Sequence, residues 1–111
     1  MVKIVFDSCI TKLLGLDGLV LYPYVLVSSK KEDTSNIVLK HELTHVMQIE
    51  RDGVFNFYMS YVRQLIDVRQ LIGCNFHNAY MNNEYEKEAY KNETKKFTKN
   101  EKILLKSYGI N

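Results

Sequence analysis

Residues 40 to 48 read KHELTHVMQ, two histidines four apart with a glutamate directly after the first. The spacing restricts the fold, because an α-helix places side chains at i and i+4 about 40° apart around its axis and about 6 Å along it. There His41 and His45 can turn both imidazoles toward one metal ion. Glu42 falls about 100° from His41, which keeps its carboxylate off the metal but beside an attacking water, where it can serve as general base. The flanks agree with a helix: Asn36 is the expected N-cap and Gly53 stands where helices end. With Ile37 as the zero of a helical wheel, Lys40, Thr44, Gln48 and Arg51 form a polar strip between about 300° and 20°. A broad apolar arc lies opposite, and the two histidines fall on the border between them, where a cleft would open.

The chain has 111 residues, 46% of them apolar and 25% charged. That balance excludes a linker or low-complexity chain and fits one domain over residues 1 to 111. The net charge is +2, with both signs mixed along most of the length, so the concentrated positive field of a nucleic-acid binder is not expected. The lysines between Lys91 and Lys106 alternate with glutamates and asparagines and read as a solvated helix face. Two cysteines, Cys9 and Cys74, are too few for a disulfide framework and are expected as reduced, buried thiols. Cys74 and His77 have a C-x-x-H spacing, but no second cysteine pair completes a metal site. The first residues make a poor signal peptide, and the longest apolar run, GLVLYPYVLV, is half the length of a membrane span. A cytoplasmic protein with no transmembrane segment is the expectation.

Strand signals come first, at VKIVF (2 to 6) and at LVLYPYVLV (19 to 27), where Pro23 predicts an edge strand or a bulge. After the motif helix, expected over 36 to 52, apolar residues from Phe55 through Tyr58, Val62 and Leu65 to Ile72 predict a long helix over 54 to 72 that covers it. A turn-rich stretch precedes a fourth helix over 84 to about 99, and EKILLKSYG forms a short fifth. The fold class is therefore α+β: a short N-terminal β-sheet with an edge strand, packed on the motif helix and further helices.

A catalytic zinc usually has three protein ligands and an open position. His77 and the glutamates of EYEKEAYKNE are the candidates for the third. On that helix Tyr85, Ala89, Tyr90 and Phe97 define an apolar arc, and Glu86 and Glu93 fall inside it at about 100° and 80° from Tyr85. Carboxylates on an apolar side are costly unless a metal or a cation meets them. Glu86 is therefore assigned as the third ligand with His41 and His45, and Glu93 as a group that pairs with a nearby base or orients the site. Glu84 and Glu88 are expected to point the other way, among the lysines.

With HELTHVMQ followed about forty residues later by YMNNEYEKEAY, the chain resembles the small gluzincins, the minigluzincin-type metallopeptidases, over roughly residues 15 to 93. Members carry HExxH and a downstream Glu in an ExxA context, which EKEA matches, and NEYEKEAY departs from an N-P-x-E-x-E-A-Y pattern only at Glu84. The resemblance implies a Zn2+ cofactor, an active-site helix, a glutamate helix behind it, and a short sheet whose edge strand a substrate peptide joins, here with Leu21, Tyr22 and Tyr24. Larger gluzincins place an Asp shortly after the ligand Glu to hold the first histidine; the matching position here is Tyr90.

The expected function is zinc-dependent peptide hydrolysis, with Glu42 as base and Tyr80 or His77 stabilising the oxyanion, acting on a peptide or protein substrate. The alternative is a catalytically degenerate gluzincin-like domain that serves as a binding or structural component of a larger assembly. A third reading, a helical nucleic-acid module built on the C-terminal lysines, requires strongly salt-dependent binding to polyanions.

Overall fold

A computed structural model of the chain describes residues 2–72 and 83–110, and within them it is α+β. Strand β1 (Lys3–Val5) is followed by helix α1 (Cys9–Leu14), strands β2 (Gly18–Leu21) and β3 (Tyr24–Val27), and a 3-10 turn at Lys31–Asp33. Four helices complete the order: α2 (Asn36–Asp52), α3 (Val54–Ile72), α4 (Glu84–Asn92) and α5 (Lys99–Ser107).

The sheet has the order β1-β3-β2, with β1 parallel and β2 antiparallel to β3. The apolar run from 19 to 27 is thus not one strand with Pro23 at an edge or bulge. It folds back on itself as a hairpin, with Tyr22 and Pro23 in the turn, where a residue lacking an N–H removes nothing from the ladder. Gly18 joins the strand at its start, and β2 is the edge. Tyr24 falls on the middle strand, opposite both Lys3 and Leu21.

Helix α2 has its cap one residue earlier than expected, so that Asn36 is its first residue and not its cap. Ser35 takes the cap position, extended in backbone, and its hydroxyl accepts the Val38 N–H at 3.2 Å. Gly53 ends the helix at φ 91°, a left-handed conformation open to glycine. The predicted fourth and fifth helices have different ends because Thr98 forms a capping box with Glu101, which starts a fresh helix at Lys99. Helix α1 has no counterpart in the sequence reading, and Cys9 on it is exposed, not buried. Its left-handed C-cap at Gly15 turns the chain back into β2.

Val20, Val25 and Val27 of the sheet pack on Leu39, Leu43, Val46 and Ile49 of α2, and Phe57 and Leu105 close the core. Helix α3 covers α2 in a different phase from the one expected: Phe57 is buried and Tyr58 and Tyr61 are half-buried, whereas Phe55 and Val62 face outward. The lysines at 91, 95, 96, 99, 102 and 106 are all exposed. No helix among the described residues is long and apolar enough to cross a membrane.

Three of the four residues of the α2 polar strip are buried too, and only Arg51 is exposed. Lys40, Thr44 and Gln48 do not meet solvent: Lys40 bonds to α5 and Gln48 to α4, and the Thr44 hydroxyl donates to the Lys40 carbonyl of its own helix. Lys40 Nζ donates to Glu101 Oε1 at 2.7 Å, and that same oxygen accepts the Thr98 N–H at 2.9 Å. Removing one partner of a buried ion pair leaves a charge unmatched, whereas neutralising both costs far less. Lys40→Met is expected to lower the unfolding free energy by about 3–5 kcal/mol. Lys40→Met combined with Glu101→Gln, which keeps an acceptor for the cap, should recover most of it in urea denaturation. Equal losses in the single and double variants would show that the charge pair is not what joins α2 to α5.

Candidate metal centre

Helix α2 presents His41 and His45 toward α4, with Glu42 turned to the edge strand, and α4 returns Glu86 from its first turn. Asn83 sets that turn: its side chain accepts the Tyr85 N–H at 2.9 Å and donates to Tyr61 C=O at 3.1 Å, which pins the start of α4 to α3. One Glu86 oxygen lies 3.0 Å from His41 Nε2 and the other 3.2 Å from His45 Nε2. Ligand atoms from His41, His45 and Glu86 all fall within 4.8 Å of one another, and all three residues are buried, so the group can hold a metal ion.

The remaining ring nitrogens are also engaged. His41 Nδ1 meets Glu93 Oε2 at 3.0 Å and His45 Nδ1 meets Gln48 Oε1 at 2.8 Å. Both partners are acceptors, so each ring donates from Nδ1 and turns Nε2 toward Glu86, where a proton meets the carboxylate in the metal-free protein and where a metal could take its place. Gln48 is held in turn, its amide donating to Tyr85 C=O at 3.1 Å and to Glu88 Oε1 at 2.7 Å. Tyr61 O–H donates to the second Glu86 oxygen at 2.7 Å.

Burial pulls the two histidines down, but the hydrogen bonds to Glu86 and the Glu42 charge outweigh it and leave both raised. Burial pushes the Glu86 carboxyl up, yet the bonds from His41, His45 and Tyr61 hold it well below the usual carboxylate range. Glu42 is raised by its burial, against the pull of His45 and His41.

Glu42 occupies the wall between two cavities. One, of about 160 Å³, is lined by Gly18, Leu19, Val20, Phe57, Tyr58 and Tyr61 with His45 and Glu86. The other, of about 530 Å³, is lined by Gly15, Asp17, Val38, His41, Tyr90 and Glu93. Gly18 of the edge strand runs against Glu42 so closely that a Cβ there would lie 2.7 Å from Glu42 Cγ and 2.9 Å from Cδ. Any larger residue must displace the carboxylate.

The structure thus brings together His41, Glu42, His45 and Glu86. The position after the ligand glutamate where an Asp was expected, Tyr90, packs its ring edge-on to His41 at 4.7 Å. The carboxylate itself comes from Glu93, two turns beyond Glu86 on the same face. Glu88 does not point among the lysines; it meets Gln48 and Arg51. Gly18, Gln48 and Tyr61 were not found from the sequence. Gln48 sits three residues after His45, a spacing that brings side chains together on a helix, whereas nothing local marks Gly18 or Tyr61. His77, Tyr80 and Cys74 lie outside the described residues. Leu21 is on the edge strand, but its backbone bonds face β3, and Tyr24 has strands on both sides. No family model, curated protein or solved structure matches the chain.

Glu86→Gln is expected to abolish metal retention and Glu88→Gln to leave it near wild type, measured as metal content of protein purified without added metal. Metal retained by Glu86→Gln and lost by Glu88→Gln would assign the third ligand to Glu88, about 200° further around α4. The raised histidines also set a pH dependence. Imidazoles bind metal only when neutral, and these two hold protons to higher pH than a free histidine, whose pKa is about 6.5. Affinity for a divalent metal should therefore keep rising as pH increases past that value, and uptake near neutral pH should release protons. Calorimetry in two buffers of different ionisation enthalpy measures this release; uptake without it would put the metal elsewhere.

Proposed function

We propose that this chain is a zinc-dependent metallopeptidase of the small gluzincin kind. The observation that carries the reading is the convergence of His41, His45 and Glu86 at one point with Glu42 beside them, in the wall of a cleft. Two imidazoles and a carboxylate are a donor set suited to zinc, and three protein ligands leave a position open for chemistry. The acceptors on both Nδ1 atoms support the same assignment, because such partners orient imidazoles and raise their basicity toward a metal.

Bound there, zinc would act as a Lewis acid on the scissile carbonyl and make water easier to deprotonate. The protein's own groups supply the rest. Glu42 takes the proton from the attacking water and passes it to the departing amine, and its burial lifts its basicity toward the working range of such a base. Gly18 leaves room for the Glu42 side chain and brings the backbone of β2 next to it. A peptide laid along that outer edge would have its carbonyl beside the base, held by main-chain hydrogen bonds. Edge contacts then come from Gly18 and Val20 and not from the backbone of Tyr24.

The rival reading, a catalytically silent module that holds metal and binds a partner, draws on a specific observation. The hydroxyls of Tyr58 and Tyr61, both on the cleft wall, are already committed within the fold. Glu42→Gln separates the two. It keeps shape while removing the base, so zinc should remain at about one per chain while hydrolysis of a peptide library falls by roughly two orders of magnitude or more. If wild type and variant both retain zinc and both leave every peptide intact, the enzymatic reading fails.

A further inference from the structure

Strand β2 is an outer strand of the sheet, and its ladder with β3 determines which of its backbone groups face outward. Asp17 C=O accepts the Ser28 N–H at 3.0 Å, and Leu19 and Leu21 stand opposite Leu26 and Tyr24, so the odd-numbered residues bond to β3. By the alternation of an antiparallel pair, the N–H and C=O of Gly18 and Val20 and the N–H of Tyr22 point away from the sheet.

Two of these outward groups are taken by one side chain. Tyr58 O–H donates to Val20 C=O at 2.8 Å, and its oxygen accepts the Tyr22 N–H at 3.2 Å. A single phenol thus does at this point what a neighbouring strand would do, filling one acceptor and one donor. Its ring stands edge-on to Phe57, with centroids 5.1 Å apart. The outward groups that remain, on Gly18 and the Val20 N–H, lie at the end nearer Glu42. Tyr58 also lines the smaller cavity beside Glu42, His45 and Glu86, whereas on the other side of Glu42 the cleft widens to about 530 Å³.

We propose that Tyr58 is a specificity-determining residue that ends the usable edge of β2, so that the substrate is a peptide with only a short segment on the Tyr58 side of the scissile bond. The inference rests on the metallopeptidase reading for its scissile bond and on the sheet edge alone for its length limit. A longer peptide that displaced the phenol would exchange two hydrogen bonds for two and lose the ring packing, so extension past Val20 brings no gain.

The test is a series of peptides around one scissile bond, lengthened one residue at a time on either side. Each is assayed for kcat/KM with zinc-loaded protein and for binding to the Glu42→Gln protein by fluorescence anisotropy. In wild type, added residues should strengthen binding on one side only, with the gain stopping after the first one or two residues on the other. In Tyr58→Ala the gain should continue by roughly tenfold, from two recovered backbone hydrogen bonds. The same length profile in wild type and folded Tyr58→Ala overturns the proposal, and so does absence of binding by every peptide. If Tyr58→Ala does not fold, Tyr58→Phe decides: its Tyr22 amide must exchange faster and its length limit must relax, and an unchanged limit overturns the proposal. A length break in binding without any cleavage upholds the role of Tyr58 and removes the hydrolytic reading. Cleavage without a length break does the reverse.

Discussion

The carboxylate of Glu86 between two imidazoles is the contact on which the rest of this structure depends. It is 3% exposed, and each of its oxygens faces a different histidine of α2. A buried carboxylate without partners would take up a proton or pull its helix toward solvent. Here it is kept charged by His41, His45 and Tyr61, so α4 can close over α2 with the Glu86 carboxylate of its first turn inward. A cation in place of the imidazole protons would satisfy the same oxygen and nitrogen atoms, so the arrangement that stabilises the metal-free fold could also hold a metal ion.

The remaining α2 polar groups obey the same rule. Gln48 is fully buried and links His45 to the backbone of α4, and Lys40 reaches Glu101 of α5. Networks of this kind contribute little net stability compared with apolar packing, but they are intolerant of partial loss, because each member left alone is a desolvated charge or dipole. They also fix rotation. Turning α2 by one residue would withdraw Gln48 and Lys40 from their partners along with the two histidines, so the ligand geometry and the packing of α4 and α5 hold each other in place. The sheet contributes on the opposite side, where Gly18 meets Glu42 and Tyr58 covers the edge.

Much of this was legible in the chain as written. The motif helix over 36 to 52 and the helix over 54 to 72 follow from periodicity and from Gly53, and the structure has the same spans. Glu86 follows from its helical phase, and Glu93 from the same wheel. The hairpin did not follow, since a run of eight apolar residues around one proline looks the same as a bent strand or as two strands joined by a turn. The phase of α3 was misjudged as well: aromatic and aliphatic residues occur all round that helix, and pattern alone does not say which of them a neighbour will cover.

What the sequence determined by itself was local: a helix that puts His41 and His45 on one face and ends at Gly53, and a second helix with two carboxylates on its apolar side. These depend on spacing along one axis, which residue order states directly. The tertiary structure alone decided that Lys40, Thr44 and Gln48 of the α2 polar strip are buried, that Gly18 presses on Glu42, and that Tyr58 bonds to the outer edge of β2. Those contacts join residues 24 to 61 positions apart in the chain. They exist because the sheet, α4 and α5 converge on one central helix, and no property of any single segment encodes where a distant segment will lie.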